Sequence, residues 1–544
     1  MLMRLRTRVD ARRRGVVLIA VLLIVVVLSL AAFQYSEWIT AEYRATDGYT
    51  RSVQTRALAD SGVHYTAALI GNADAMTNTL NGNPFDNAQA FQTVVVLDNG
   101  SSRPAVFTIL SLRAPDDPNT ATQAYRFGLA DEAGKINVNA LMQLDNGKGD
   151  AGFAVLMKLP NMTEDVANAI LDWISPGETP RSDGAKDDYY SSLTTPYHCK
   201  NGPLDSMEEL LLVRGVTPQL LFGNDRNHNG VLDADEDDGS GQVDRGWSAY
   251  LTVYSREPNS DAQGNARIYI NDADVNGMGE KLTTALGQDL ANYIIAYRLY
   301  GPASAAPPVG AITASKGGAA TPMAAPAPAP TMSFTPLSGS DNTAVQGQLR
   351  TDRGSAKSKK PQKISTLFDL VGSKVSVTTG SGRTAKTITL PSPLNDPGQL
   401  KTLLPLLLDK TTTTLNSDLA PRINVNTASQ TVLAALPGLE DGDVQNIVNL
   451  RPDPSSTQAV DPIFQTPAWL LTEASVPLAK VKAIESYITA RTQVYRFQSL
   501  GYYQGGGPTA RIEAVVDGNN GRPRIVYRRD LGELGSGFDM NGLK

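Results

Sequence analysis

The chain is 544 residues long, which is too long for one ordinary hydrophobic core and predicts about three or four domains. A hydrophobic content of 41% and a charged content of 19% are typical of a globular protein and exclude a disordered one. The net charge of −6 disfavours a nucleic-acid partner, and a single cysteine, Cys199, excludes an intramolecular disulfide.

The first predicted element is an apolar helix behind a basic leader. Six arginines precede Gly15, and the run from Val16 to Phe33 has one serine and no charged residue. As a helix this run is about 27 Å long, close to the thickness of the hydrocarbon core of a membrane. The arginines predict a cytoplasmic N-terminus and a bulk that lies across the membrane.

The helix is predicted to continue beyond the apolar run, since no proline interrupts residues 34–70. A sparse apolar face predicts burial of five residues in this extension, which are Tyr43, Val53, Ala57, Ala59 and Val63. The predicted filament helix spans residues 16–60.

Short β-strands are predicted at both ends of the remaining chain. Apolar runs surround Asp98-Asn99-Gly100, a hairpin signal, and a further strand is predicted within residues 123–130. Strand patterns return after residue 491. Neither set makes a sheet by itself, so we predict one antiparallel sheet closed by strands from both ends.

An internal repeat occupies the middle of the chain. Copies begin at Gly134, Ala266 and Pro421, each with an Ile-x-x-Asn-like entry, a helix, a turn and a second helix. This pattern predicts three helix-hairpin-helix units, with asparagines capping the helix entries. A Pro/Ala-rich segment, residues 301–334, predicts an extended linker after the second copy.

The sequence therefore predicts an α+β fold in which inserted helical domains, of the helix-hairpin-helix or SAM-like kind, interrupt the sheet. The predicted divisions are a leader, 1–15; the filament helix, 16–60; the first part of the sheet, 61–130; a helical domain, 131–300; a linker, 301–363; a second helical domain, 364–490; and closing strands, 491–544.

One segment matches a metal-binding motif. Residues 225–236 read DRNHNGVLDADE and fit the calcium-loop pattern D-x-N-x-N-G-x-L-D-x-x-E at every ligand position. The predicted ligands are the side chains of Asp225, Asn227, Asn229, Asp233 and Glu236 and the backbone carbonyl of Val231. Alternation of short oxygen-bearing side chains suits a hard cation, so we predict a structural Ca²⁺ site, against the alternative of a solvated acidic loop.

Enzymatic and DNA-binding functions are disfavoured. No nucleophile elbow, phosphate loop or paired Cys/His zinc spacing occurs. Helix-hairpin-helix units often bind DNA, but these hairpins read LPNMTED and LPGLEDGD, whose carboxylates would repel a phosphate. We therefore predict a protein–protein scaffold that is not an enzyme and binds no nucleic acid.

The leader, the glycine and the apolar helix together resemble the class III signal of type IV pilins and type II secretion pseudopilins. The resemblance implies cleavage by a prepilin peptidase between Gly15 and Val16, with the helix retained. Most members carry a glutamate at the fifth mature position, where this chain has Ala20. A plain, uncleaved signal anchor is the alternative for this segment.

The chain resembles the general secretion pathway protein K family in a combination of features. They are the absence of this glutamate, the interrupted sheet, the Ile-Asn-Val-Asn segments and the stretch NGPLDSMEELLLVRGV. That resemblance implies a minor pseudopilin that caps or initiates the periplasmic filament of a type II secretion system. A membrane-anchored DNA-uptake protein or a type IV pilus-associated protein is the alternative.

The resemblance also implies a location and partners. The location is the inner membrane, crossed once, with the bulk in the periplasm. The implied partners are the I-type and J-type minor pseudopilins, the major pseudopilin, the inner-membrane assembly platform and the prepilin peptidase, with secreted proteins and the outer-membrane secretin as further contacts.

Overall fold

The computed structural model describes residues 12–97, 103–120, 123–144, 148–303, 336–355, 361–453, 456 and 460–539. The helices are α1 (Arg12–Ile70), α2 (Ala73–Asn78), α3 (Ala88–Phe91), α4 (Asp150–Leu156), α5 (Glu164–Ile174), α6 (Asp187–Tyr190), α7 (Pro218–Phe222), α8 (Val275–Leu286), α9 (Gln288–Tyr300), α10 (Gly339–Ser355), α11 (Pro397–Lys410), α12 (Gln430–Ala434), α13 (Asp441–Leu450), α14 (Trp469–Thr472) and α15 (Leu478–Ile484). The strands are β1 (Val94–Leu97), β2 (Ala105–Leu112), β3 (Tyr125–Arg126), β4 (Ala130–Asp131), β5 (Ile136–Asn137), β6 (Leu251–Thr252), β7 (Glu257–Pro258), β8 (Ile268–Tyr269), β9 (Lys374–Thr379), β10 (Lys386–Pro391), β11 (Thr411–Thr412), β12 (Asp418–Leu419), β13 (Ile423–Asn424), β14 (Ile488–Thr489), β15 (Val494–Tyr503), β16 (Ala510–Asp517) and β17 (Arg524–Asp530).

Helix α1 is one continuous helix of 59 residues, longer than predicted. It ends before Gly71, where a Cβ atom would lie only 2.6 Å from Pro523. The predicted buried face is wrong for Tyr43 and Val53, which are 73% and 52% exposed, and for Ala57, which is also exposed. Within the described residues, the helix contacts the rest of the chain over its last turns, so burial begins at Thr55 and continues on that face to the helix end.

The five main strands form one antiparallel sheet in the order β1-β2-β15-β16-β17. Strand β2 pairs with β15, with Leu110 opposite Gln498, so the two ends of the chain close one sheet as predicted. Residues 98–100, the predicted turn, lie outside the described residues, and the flanking strands β1 and β2 pair antiparallel. The predicted α+β fold, with a long apolar N-terminal helix and an antiparallel sheet, is confirmed.

The end of α1 packs closely on one face of this sheet. Ser499 Oγ donates to the carbonyl oxygen of Ala59 at 2.8 Å. A Cβ atom at Gly62 would lie 2.2 Å from Ser499 Oγ, and one at Gly501 would lie 2.1 Å from the carbonyl oxygen of Thr55. Glycine on both partners therefore sets the short distance between the helix and the sheet.

The inserted region contains three modules, each closed by a parallel pair of two-residue strands. Strand β5 pairs with β6, β8 with β11, and β13 with β14. We name them module 1 (residues 136–252), module 2 (268–412) and module 3 (423–489). Each contains one predicted helix pair, α4–α5, α8–α9 and α12–α13 respectively. Their buried side chains form one hydrophobic cluster that extends through all three modules.

An asparagine occupies the same place in each module. Asn139 binds the backbone of Leu204, accepting from its N–H at 2.7 Å and donating to its carbonyl oxygen at 3.0 Å. Asn271 makes the same two bonds with Ile364, and Asn426 donates to the carbonyl oxygen of Phe464. Each bonded residue precedes a Ser/Thr-x-x-x-Leu turn, so the repeat has a third part, which the predicted repeat of two helices and a turn does not include.

The strand pairing divides the chain differently from the predicted helical domains, 131–300 and 364–490. Because β8 pairs with β11, the Pro/Ala-rich segment interrupts module 2 and does not separate two domains. The polar part of the predicted linker also contains α10, whose Val345 and Leu349 are each 1% exposed. These two residues are four positions apart and so share one helix face, a pattern too short to stand out among polar neighbours.

Candidate functional site

The predicted calcium loop lies between α7 and a short 3₁₀ helix, Gly246–Ala249. Asn224 closes the loop at its base, because its Oδ1 accepts from the N–H of Asp244 at 2.7 Å and its Nδ2 donates to the carbonyl oxygen of Gln242. This closure brings the beginning and end of the acidic segment together.

The carboxylates at the first and last loop positions point inward. Asp225 accepts from the backbone N–H groups of Asn229 and Gly230, each at 3.0 Å. Glu236 Oε1 accepts from the N–H groups of Arg226 and Asn227, at 2.8 and 3.2 Å. Asp225 and Glu236 are only 3% and 4% exposed, so the backbone is wrapped around two buried carboxylates.

The middle of the loop converges on the same centre. The side-chain amides of Asn227 and Asn229 both donate to Asp233 Oδ2, at 2.5 and 3.0 Å. Gly230 has a φ of +70°, which produces the sharp turn, and the N–H of Val231 donates to Asn229 Oδ1 at 2.6 Å. All six predicted ligands are thus parts of one hydrogen-bonded loop.

The donor chemistry of this loop fits a calcium ion. Among the described residues, no Lys, Arg or His forms an ion pair with Asp225, Asp233 or Glu236. Arg245 and Arg511 interact with Asp225 at longer range. No three His, Cys, Asp or Glu side chains in the described ranges lie close enough to hold a metal by themselves. The amide oxygens of the two asparagines and the carbonyl of Val231 would complete an all-oxygen set, which Ca²⁺ prefers.

The loop is hydrogen-bonded to the sheet domain by residues that were not predicted from the sequence. Arg511 on β16, Gln498 on β15 and the C-terminal Gly537 each bond one loop residue. They lie far from the loop in sequence and belong to no motif, so no local signal could have found them.

A buried ion pair adjoins the loop at the same junction. Arg496 on β15 donates from Nε to Glu132 Oε1 at 2.6 Å, and its Nη1 lies 3.2 Å from Glu513 Oε1. Burial alone would raise the pKa of Glu132, which is 0% exposed, but the charges of Arg496 and Lys135 lower it to about 2. Asp225 and Arg496 both line one cavity of about 130 Å³ between module 1 and the sheet.

The apolar start of α1 has no partner within the described chain. The large apolar residues from Val16 to Phe33 are between 53% and 71% exposed, and Ala20 is exposed among them. In the described residues one helix, Val16–Ile70, is long and apolar enough to cross a membrane. The leader residues 1–11 lie outside the described residues, and α1 includes Gly15 in its backbone.

Comparison with known proteins identifies two segments of the inserted region. Residues 134–222 match a family model described as type II secretion system, protein K, and residues 423–485 match a second model of the same description. These segments lie in modules 1 and 3. No curated protein sequence matches the chain.

A solved structure also resembles the chain. It is the crystal structure of the GspK-GspI-GspJ complex from the type 2 secretion system of enterotoxigenic Escherichia coli. The match has a TM-score of 0.34 and 9% sequence identity, and it covers 90% of this chain and 99% of that chain.

Proposed function

We propose that this chain, a minor pseudopilin of the type II secretion system protein K family by its two matched segments, caps or initiates the secretion filament. The family is structural and is not known as an enzyme. Its apolar N-terminal helix is compatible with a single-pass membrane anchor. We place that anchor in the inner membrane, with the arginine-rich end in the cytoplasm.

The position of the modules relative to α1 is the observation that carries the capping proposal. The loop that follows the end of α1 contacts module 3, since Asn83 Nδ2 donates to the carbonyl oxygen of Ser456 at 2.7 Å. Asp116, which follows β2, accepts from the N–H of Gln430 in the same module. These two contacts put module 3 beside the end of α1 opposite its apolar start, which supports a position at the filament end farthest from the membrane.

Ala20 supports the same position in the filament. The resemblance assigns the fifth mature residue a role in pairing with the terminal amine of a neighbouring subunit. Alanine has no charged group for that pairing, so a subunit with Ala20 suits an end position. The I-type and J-type minor pseudopilins and the major pseudopilin are the proposed neighbours, with the secretin and secreted proteins as contacts of the exposed modules.

A structural calcium ion is part of the proposal. Asp225, Asn227, Asn229, Asp233 and Glu236, with the carbonyl of Val231, would hold it. The ion would add positive charge among three carboxylates that form no ion pair within the described residues. With one cysteine, the chain can form no intramolecular disulfide. A bound metal ion would therefore take the place of a disulfide in holding the loop in its folded conformation.

The alternative of DNA binding has little support in the hairpins. In module 3, Lys480 binds Asp443 at 2.6 Å and Glu440 at 3.2 Å, so its charge is already paired. In module 1 the hairpin carries Glu164 and Asp165 in the first turn of α5. A phosphate would approach carboxylates at both hairpins, which is unfavourable.

Processing of the leader gives a direct prediction. The mature protein isolated from membranes is expected to begin at Val16, and Gly15→Leu is expected to leave residues 1–15 attached, because the resemblance places the cleaved bond directly after a glycine. Intact-mass measurement of both proteins distinguishes the two forms. Retention of the leader in the wild type would favour the plain signal anchor.

Capping predicts a single location on the filament. Immunogold labelling of assembled filaments is expected to place this subunit at one tip, with about one subunit per filament. Raising its amount relative to the major pseudopilin is expected to give more and shorter filaments, because each cap starts one filament. Label along the filament length, at any ratio of the two proteins, would contradict the proposal.

A further inference from the structure

We propose that the calcium loop is a clasp that holds module 1 on the sheet, so that bound calcium fixes the position of the inserted modules on the subunit. This inference rests on the calcium site proposed above. It concerns a different property of the loop, namely the bonds that Asn227, His228 and Asn229 make to the sheet.

Three consecutive loop residues bond three separate parts of the sheet domain. Arg511 Nη2 donates to the carbonyl oxygen of Asn227, and Gln498 Nε2 donates to that of His228 at 2.8 Å. Asn229 Nδ2 donates to the carbonyl oxygen of Gly537 at 2.6 Å. Arg511 and Gln498 are 1% and 3% exposed, so these bonds are shielded from competing water.

Close packing leaves the loop little freedom against the sheet. A Cβ atom at Gly230 would lie 3.1 Å from Leu112 Cδ2 on β2, and one at Gly537 would lie 1.9 Å from Arg511 Nη1. Phe538, which follows, is 6% exposed and lies under Arg511, whose Cζ is 5.6 Å from the ring centroid. The C-terminal segment, Arg511 and the loop therefore form one packed layer on the face of the sheet opposite α1.

Two of the three residues that bond the sheet, Asn227 and Asn229, are also proposed calcium ligands, and His228 lies between them. Asn229 Oδ1 accepts from the N–H of Val231, and Asn229 Nδ2 donates both to Asp233 Oδ2 inside the loop and to the carbonyl oxygen of Gly537. Without a cation, the carboxylates of Asp225, Asp233 and Glu236 repel one another and favour an open loop. With a cation they are drawn together, and the peptide groups of Asn227 and His228 are held where Arg511 and Gln498 reach them.

Hydrogen–deuterium exchange of the full-length protein in detergent tests the clasp. Exchange is compared in excess calcium chloride and in a calcium chelator. At free calcium about ten times the dissociation constant, we expect peptides from residues 225–236, 494–503, 510–517 and 531–539 to open about tenfold less often. Protection confined to 225–236 would overturn the clasp and leave the calcium site intact, whereas no protection of 225–236 would remove the calcium site itself.

A pair of matched variants separates ion binding from the clasp. Asn229→Asp and Asn227→Asp each add one carboxylate at a position where the calcium pattern accepts aspartate. Only Asn229→Asp removes a donor to the sheet, so calcium should still protect 225–236 in both variants. The protection of 531–539 is expected to shrink about fivefold in Asn229→Asp alone, the effect of losing one buried hydrogen bond. Equal protection of 531–539 in the two variants would overturn the assignment.

Discussion

Replacement of Arg496 by methionine is expected to lower the free energy of unfolding by about 3–5 kcal/mol, because it leaves the Glu132 carboxylate buried without its partner. Glu132 is 0% exposed and lies at the entry to module 1, whereas Arg496 lies on β15. The guanidinium also lies 5.4 Å from the ring centroids of Tyr254 and Tyr527. Urea unfolding of the full-length protein in detergent, followed by tryptophan fluorescence, measures the change.

Arg528→Met provides the matched control for this substitution. Its partner is Asp60 at 2.7 Å, and both side chains are substantially exposed, so the expected loss is below about 1 kcal/mol. A similar decrease in the free energy of unfolding in the two variants would contradict the prediction that the buried Arg496–Glu132 pair contributes more to stability than an exposed pair.

The pH dependence of the Arg496→Met effect identifies its cause. In the wild type the pKa of Glu132 is lowered from 4.5 to about 2, so its stabilising contribution is complete above pH 4.5 and is lost as the pH falls towards 2. In the variant, burial without Arg496 raises this pKa, so protonation relieves the unpaired charge. The difference in the free energy of unfolding between the wild type and Arg496→Met should therefore become smaller as the pH falls. A constant difference from neutral pH to about pH 3 would assign the loss to packing of the arginine stem.

Calcium is expected to raise the melting temperature of the wild type, and the double substitution Asp225→Ala with Glu236→Ala is expected to abolish that rise. With a dissociation constant of about 10⁻⁴ M, calcium at about 10 mM stabilises the folded state by about 2.7 kcal/mol. Magnesium should act more weakly, because it requires six-coordinate geometry and keeps its water. Differential scanning fluorimetry in calcium, magnesium and chelator gives the three values.

Asp237→Ala with Asp238→Ala is the control for charge. Both residues are exposed and follow the loop directly. This variant therefore removes two negative charges, as many as the first double variant, while it retains every proposed ligand. Its calcium-dependent rise should equal that of the wild type. A rise that is lost in both double variants would indicate general attraction of cations to the acidic surface and would contradict a defined site.

The sequence was most informative where a feature is local and periodic. The apolar run from Val16 predicted the membrane-length helix, and the Ile-Asn-Val-Asn entries predicted the helix pairs of modules 1 and 3. The two matched family segments lie in these same two modules. The long-range pairing of β8 with β11 could not be predicted, because two-residue strands have no pattern of their own and a long Pro/Ala-rich segment lies between them.

The same distinction applies to the candidate site. The six ligands follow from a twelve-residue motif and remain a prediction for Ca²⁺. Arg511, Gln498 and Gly537 were not predicted, since their role depends on the packing of the loop against a sheet formed much later in the chain. The prediction of the buried face of α1 was wrong at Tyr43 and Val53 for a related reason. Periodicity shows which residues share one face of a helix, but it does not show how far along the helix the sheet domain packs against that face.

The pairing of β2 with β15 has a consequence for the order of synthesis. Leu110 cannot meet Gln498 until nearly the whole chain has left the ribosome. Contacts so distant in sequence form slowly, whereas each helix pair can form as soon as its own residues emerge. The helix pairs of the modules can therefore form before the sheet does. A chain truncated before β15 would keep α1 and its helix pairs but lack the strand on which the end of α1 docks.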